Sequence, residues 1–294
     1  MGVARGKERS AGVGPSFFSP LRNFTRIVAS GIRPFVTPLP RFGMPAPPHS
    51  CRAGVLLEQM AALPFADLDE ITGGTTALVL APHADDESLG CGGLIAEASA
   101  RGLPPVVVVL TDGAMSHPSS QSYPPPRLRA LRRAETRAAV AALGLGRERV
   151  HFLDIPDGRA PHEGPGVEKA AARVAELARA YRAGTILTTW ECDPHADHVA
   201  AQVIARAEAR SMCARVVSYP VWGWALPRRA LLPVASVAGA RMDIARHLPA
   251  KRRAIAAHES QHSGLIADDP RGFRLPASLL SAVDRPFEVF LFER

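Results

Sequence analysis

Nowhere does the chain hold the ~18–20 uninterrupted apolar residues that a membrane-spanning helix needs, which excludes an integral membrane protein. Cysteine is scarce: Cys51, Cys91, Cys192 and Cys213 have no CxxC spacing and follow no apolar secretory core, so reduced thiols in a cytoplasmic protein are expected. Excess charge is missing from most of the sequence as well. Residues 54–294 carry 27 basic and 27 acidic side chains, although the whole chain of 294 residues has a formal net charge of +7. A neutral body of that size argues against a nucleic-acid partner, which would call for a basic surface. What is present is apolar: 47% hydrophobic residues against 21% charged describes a globular chain rather than a disordered one.

The charge excess lies in residues 1–53, where eight basic residues meet one acid, Glu8, among eight prolines. With that many helix- and ladder-breaking residues and no sustained periodicity, the segment reads as a poorly ordered extension or a misassigned start, with true initiation at Met44. A targeting segment and a basic arm touching phosphate or anionic lipid are its alternatives. The working domain is then 54–294.

From residue 76 onward, short β-branched runs alternate with longer Ala/Arg/Glu-rich segments. Thr76–Pro82, Pro105–Asp112, Arg149–Leu153, Thr185–Thr189, Arg215–Tyr219 and Phe287–Phe292 read as strands. Gly92–Arg101, Arg127–Leu143, Val167–Tyr181, Asp197–Arg210 and Pro249–Ser260 read as helices, with Leu128, Leu131, Ala134 and Ala138 or Ala139 as the buried face of the second. Gly144 and Gly184 stand where helix C-terminal caps belong. The alternation predicts a single α/β domain: a Rossmann-like, mainly parallel sheet with helices on both faces. Sites in such folds lie beyond the carboxyl ends of the strands, which directs attention to 83–93, 112–117, 154–158 and 191–198.

Two of those loops carry an unusual density of ligating side chains. Pro82-His83-Ala84-Asp85-Asp86-Glu87-Ser88 places one imidazole and three carboxylates within five residues, costly at a buried rim unless a cation offsets them. Glu191-Cys192-Asp193-Pro194-His195-Ala196-Asp197-His198 sets two histidines three apart on one helical face. His83, Asp86 and His198 would make a His₂Asp site with open positions, the usual form of catalytic zinc, while Fe²⁺ or another divalent ion suits the same donors. The glycines of Gly90-Cys91-Gly92-Gly93 do not match a dinucleotide fingerprint and are read as permitting a tight turn into the helix.

The pair PHADDES…HADH resembles the AHPDDE…HPDH signature of the PIG-L/LmbE-like de-N-acetylases. TDGAMSH, RRAE…ALGL, FLDIPDG and KRRAIAAHESQ extend the resemblance over residues 74–294. Pro82 and Ala84 exchange the family's Ala and Pro, and Ala196 replaces a Pro; every residue with a functional side chain is retained. The resemblance implies a zinc-dependent hydrolase that removes the N-acetyl group from an amino-sugar conjugate by attack of metal-activated water. His83, Asp86 and His198 would ligate the metal and Asp85 would be the general base. His195 would stabilise the oxyanion or protonate the departing amine, with Asp197 orienting it and Glu87 hydrogen-bonding a ligating histidine. Asp112, His117, Arg133, Asp157 and His258 are candidates for substrate contact, each with a cap, turn or packing role as its alternative. Trp222 and Trp224 either stack on a sugar ring or pack in the core. An amidase for another acyl group or a thiol conjugate is the alternative enzyme. A catalytically idle sugar- or nucleotide-binding module is the alternative from outside catalysis.

Overall fold

The computed structural model describes residues 50–293, so the reading of residues 1–49 as an extension lies outside the described residues. The first elements are β1 (Cys51–Arg52), α1 (Ala53–Ala62), α2 (Leu68–Thr72), β2 (Thr76–Ala81), α3 (Asp86–Ala100), β3 (Val106–Thr111), α4 (Pro125–Ala142), β4 (Val150–Ile155) and α5 (Pro165–Ala180). There follow β5 (Ala183–Thr189), α6 (Ala196–Met212), β6 (Arg215–Tyr219), β7 (Leu231–Leu232), β8 (Gly239–Asp243), α7 (Leu248–Ala256), α8 (Glu259–His262), α9 (Ala277–Val283) and β9 (Phe287–Phe292). Seven strands form one sheet in the order β4-β3-β2-β5-β6-β9-β8. The first five run parallel, and β9 and β8 add an antiparallel edge. The expected mainly parallel α/β sheet is therefore present, and no described helix is long and apolar enough to cross a membrane.

Alternation along β2 shows how the sheet acquires its two faces. Ala77 and Val79 point into one core with α3, α4, α7 and α9, while Leu78 and Leu80 point into another with α5 and α6. A third cluster joins α1 to Trp190, Leu232, Val289 and Leu291. It takes in the last residues assigned to the extension: Cys51–Arg52 pair antiparallel with Leu231–Leu232, and Ala53 is fully buried.

Four local expectations need correction. The helix after the first motif starts at Asp86, not Gly92, so the glycines lie inside it. Their purpose is close approach: a Cβ on Gly90 would stand 2.2 Å from the Tyr219 ring and one on Gly93 2.3 Å from Ile244, so α3 sits deeper on the sheet than any side chain would allow. In α4 the buried face is Leu128, Arg132, Glu135, Thr136, Ala139 and Val140, whereas Ala134 and Ala138 are exposed. The helix is rotated from its apolar reading because two charged side chains on it have buried partners. Gly144 does take positive φ after α4, but Gly184 lies within β5, and Arg182 makes the left-handed turn before it. The last basic helix is two, α7 and α8, parted at Ala257–His258.

Candidate metal centre

The loops following β2, β3, β4 and β5 meet at the sheet's carboxyl rim. Asp86 opens α3, and its Oδ2 accepts the main-chain N–H of His83 at 2.9 Å while lying 3.2 Å from His83 Nδ1. From the first turn of α6, His198 brings its Nε2 to 3.3 Å from the same oxygen. The far nitrogens of both rings are held by carboxylates. His83 Nε2 lies 3.2 Å from Asp197 Oδ2 and 3.4 Å from Asp157 Oδ1, and His198 Nδ1 lies 3.0 Å from Asp193 Oδ2.

With an ion bound, that arrangement would set the tautomers. A neutral imidazole offers one N–H and one lone pair, and the outer carboxylates take the N–H. The lone pairs of His83 Nδ1 and His198 Nε2 would then both face Asp86, which is itself an acceptor. Three acceptors facing one another need positive charge between them, from a metal ion or from the rings' own protons. His198 Nε2 is buried and has no hydrogen-bond partner, as an atom shaped for a metal would be.

The charge balance agrees. Burial opposes charge on either ring, yet Asp86 and Asp193 outweigh it and push His198 up to about 9. For His83, hydrogen bonds to Asp157, Asp197 and Asp86 likewise overcome burial and raise it well above its ordinary value. Burial would raise Asp86, but the facing His198 and His83 hold it far below the carboxylate range. The pocket is built for positive charge.

Two sets of donor atoms each lie within 4.8 Å of one another: His83, His195 and His198, and His83, Asp157 and Asp197. His195 is excluded as a ligand by its own hydrogen bond. At the N-cap of α6 its Nδ1 accepts the Asp197 N–H at 3.2 Å, which leaves the proton on Nε2. Burial, with His83 and His198 beside it, pushes His195 down to about 3, so it is a neutral N–H donor. Its ring centroid is 4.6 Å from that of His83. Asp197 is committed elsewhere, since it also accepts Gly158 N–H at 2.8 Å and Ala160 N–H at 3.0 Å. Its carboxylate therefore orients His83 and not, as the sequence suggested, His195; only its main-chain N–H reaches His195.

Asp85 is buried beside this centre in a strained conformation, φ 146° and ψ −28°. Burial pushes its carboxyl up to about 7, Asp86 adding to the rise and Arg132 opposing it. Arg132 lies 3.3 Å from Asp85 Oδ2 and donates to Ala84 O at 2.6 Å. It is the residue that sequence reading missed in favour of its neighbour: Arg133 turns outward, bound to Asp154 and stacked over Phe152. The signal was the helical phase, because 132 is one turn on from buried Leu128.

The remaining candidates divide. Asp157 reaches His83 as described and accepts Met115 N–H at 3.0 Å. Asp112 accepts from Arg129 at 2.6 Å and from Ala114 and Asp157 N–H groups, so it organises the rim loops. His117 is buried against Gly272, and its nearest polar partner is Ser116. Trp222 packs edge-to-face on Phe273 at 5.8 Å, and Trp224 lies under Arg285. Glu87 contacts His258 and Ser88, not the candidate ligands. A cavity of about 510 Å³ opens beyond Trp190 and Glu191, but no candidate site residue lines it and its Arg206 is paired with Glu191 and Glu293.

Asp193 was the larger omission. Besides His198, it accepts N–H groups from Val221, Trp222 and Gly223 at 2.7–3.0 Å, tying the candidate ligand to the loop after β6. Asp193→Asn preserves the shape and removes the charge, so metal affinity is expected to fall about 10–100-fold. Competition against a chelator measures it; unchanged affinity would remove Asp193 from the centre.

Residues 78–209 match the family model described as PIG-L, GlcNAc-PI de-N-acetylase. A diacetylchitobiose deacetylase of Thermococcus kodakarensis is 28% identical over 135 residues, 46% of this chain and 46% of that protein, so the match spans less than half the relative's length. The N,N′-diacetylchitobiose deacetylase of Pyrococcus horikoshii superposes with TM-score 0.52 at 21% identity, covering 72% of this chain and 79% of that one. A 4-carboxy-2-hydroxymuconate hydratase of Pseudomonas putida KT2440 superposes with TM-score 0.51 at 24% identity, covering 62% and 78%. At those identities the two structures establish the fold, and their different activities leave the chemistry to be argued from the side chains.

Proposed function

We propose that this chain, whose residues 78–209 match the PIG-L family model, is a metal-dependent hydrolase that removes the acetyl group from an N-acetylated amino-sugar conjugate. The observation that carries the reading is the convergence of His83 Nδ1 and His198 Nε2 on one oxygen of Asp86, with a base-like Asp85 beside them. His83, Asp86 and His198 would hold the ion; two imidazoles and one carboxylate suit Zn²⁺, and Fe²⁺ as well. When bound, a divalent ion supplies Lewis acidity to the amide carbonyl and lowers the pKa of a water to about 7.

The chain's own groups do the rest. Asp85 removes the proton of the attacking water, and Arg132 keeps the carboxylate aimed while its charge favours the ionised form. His195, neutral with its proton on Nε2, donates a hydrogen bond where negative charge grows on the carbonyl oxygen. The C–N bond then breaks, the proton held by Asp85 passes to the departing nitrogen, and acetate and a free amine leave. Asp157 and Asp197 hold His83, and Asp193 holds His198. The relatives named as diacetylchitobiose deacetylases support an amino-sugar substrate. The metal-loaded protein is expected to release acetate from at least one member of a panel of N-acetylglucosamine conjugates differing at the aglycone. Cleavage of larger acyl groups alone, or no hydrolysis across the panel, would overturn the reading.

A further inference from the structure

Glu87 and His258 form a buried ion pair that the chemistry above does not use. Both are fully buried, with His258 Nε2 3.0 Å from Glu87 Oε1. His258 sits at the break between α7 and α8, far along the chain from α3. The other Glu87 oxygen accepts the main-chain N–H of Asp85 at 3.0 Å, and Ser88 Oγ donates to the first at 2.7 Å. Both oxygens of Glu87 are thus engaged, one by the residue that bears the base and the other by an anchor from a separate helix.

Asp85 needs that grip. Its positive φ is a conformation that L side chains rarely adopt, and it persists only where the surroundings over-determine it. As the N-cap of α3, an aspartate would ordinarily turn its carboxylate onto its own helix, yet Asp85 makes no such bond. Its carbonyl accepts Ser88 and Leu89 N–H groups at 3.0 and 2.9 Å, and its N–H goes to Glu87. The carboxylate is thereby released from capping and lies on Arg132. Asp85 and Arg132 are also the charged groups that act on His258 alongside Glu87.

We infer that Glu87, anchored by His258, is a positioning residue that holds the Asp85 backbone in its strained form and so aims the Asp85 carboxylate at the site. The inference rests on the proposed role of Asp85. Without the Glu87 acceptor, the Asp85 N–H is buried unpaired and the backbone relaxes to negative φ, carrying the carboxylate away from Arg132.

The test compares Glu87→Ala and Glu87→Gln. The glutamine side chain retains an oxygen for the Asp85 N–H, and the alanine side chain does not. Glu87→Ala is expected to lower kcat about 10²-fold, the cost of a ~1 Å misplacement, with KM and metal stoichiometry unchanged. Glu87→Gln should recover most of that loss. A crystal structure of Glu87→Ala should show Asp85 at negative φ and its carboxylate parted from Arg132, a readout that needs no substrate and therefore stands even if the deacetylase reading fails. Should Glu87→Ala not fold, His258→Gln supplies the same measurements with a smaller expected loss. Asp85 keeping its positive φ in the variant, kcat within twofold of wild type, or failure of Glu87→Gln to recover the rate would each overturn the inference.

Discussion

Asp85→Asn is expected to lower kcat about 10³-fold, within the 10²–10⁴ range for loss of a general base, while metal stoichiometry stays at the wild-type value. The substitution is nearly isosteric. An asparagine side-chain oxygen can still accept from Arg132 Nη2, and its main-chain N–H can still reach Glu87, so neither the loop nor the ligands lose a partner. What disappears is the capacity to take a proton. Asp86 separates the two roles: it is the adjacent residue, but its carboxylate faces His83 and His198, so Asp86→Asn should release the metal where Asp85→Asn retains it. Rate and metal content measured on both variants decide the matter. A fast Asp85→Asn enzyme, or one that loses its metal, would show that the base lies elsewhere.

The pH profile sharpens the same expectation. Burial pushes Asp85 up to about 7, and a base works only when ionised, so activity should be lost as pH falls through its pKa. A divalent ion bound beside it favours the ionised form and moves that limb below 7. The wild-type rate should therefore decline on the acid side with a midpoint under 7, and the residual rate of Asp85→Asn should lack that limb.

Much of this centre was legible before any coordinates. The parallel strands announce themselves as short β-branched runs, and the rule that sites follow the carboxyl ends of strands brings the His83–Glu87 and Glu191–His198 loops together without a structure. What could not be read is which polar residue faces which. In α4 the apolar pattern pointed to Leu131 and Ala134, but Arg132 and Glu135 lie on the buried face, because each meets a partner that only the fold supplies: Asp85 for one, Ser260 for the other. Periodicity weighs a charged residue as a surface residue and is misled when the charge is paired inside. Asp193 failed for a different reason. Five residues before His198 it has no helical relation to it, and its other partners, the N–H groups of 221–223, belong to a loop after the next strand. Glu87 and His258, similarly, are 171 residues apart and meet only because α7, which His258 follows, packs over α3.

Removing the metal, or its His198 ligand, is expected to have the widest effect, because it changes stability as well as rate. In His198→Ala the metal should be lost and activity with it. Asp86 then keeps one imidazole partner, and Asp193 keeps its three main-chain donors but loses the ring it orients. Breaking a buried charge pair from one side costs about 3–5 kcal/mol, which for a domain of this size lowers the melting temperature by roughly 10 °C. Arg133→Ala, which removes a half-exposed partner of Asp154 and its stacking on Phe152, should leave both metal content and melting temperature near wild type and so controls for the loss of a charge as such. In the metal-free wild-type protein, protons take the cation's place between the rings and Asp86. His198, pushed up to about 9 by Asp86 and Asp193 against its burial, stabilises the fold fully below the ordinary imidazole value of ~6.5, and that contribution is lost as pH rises through about 9. Chelated protein should therefore lose melting temperature between about pH 6.5 and 9. Metal-loaded protein should not, since the ion binds the neutral rings and faces less competition from protons as pH rises. Thermal melts of the chelated and loaded protein across that range check the sign directly. A chelated protein that keeps its melting temperature at pH 9, or a His198→Ala variant that still carries a stoichiometric metal, would mean that the two imidazoles and Asp86 do not share one cation.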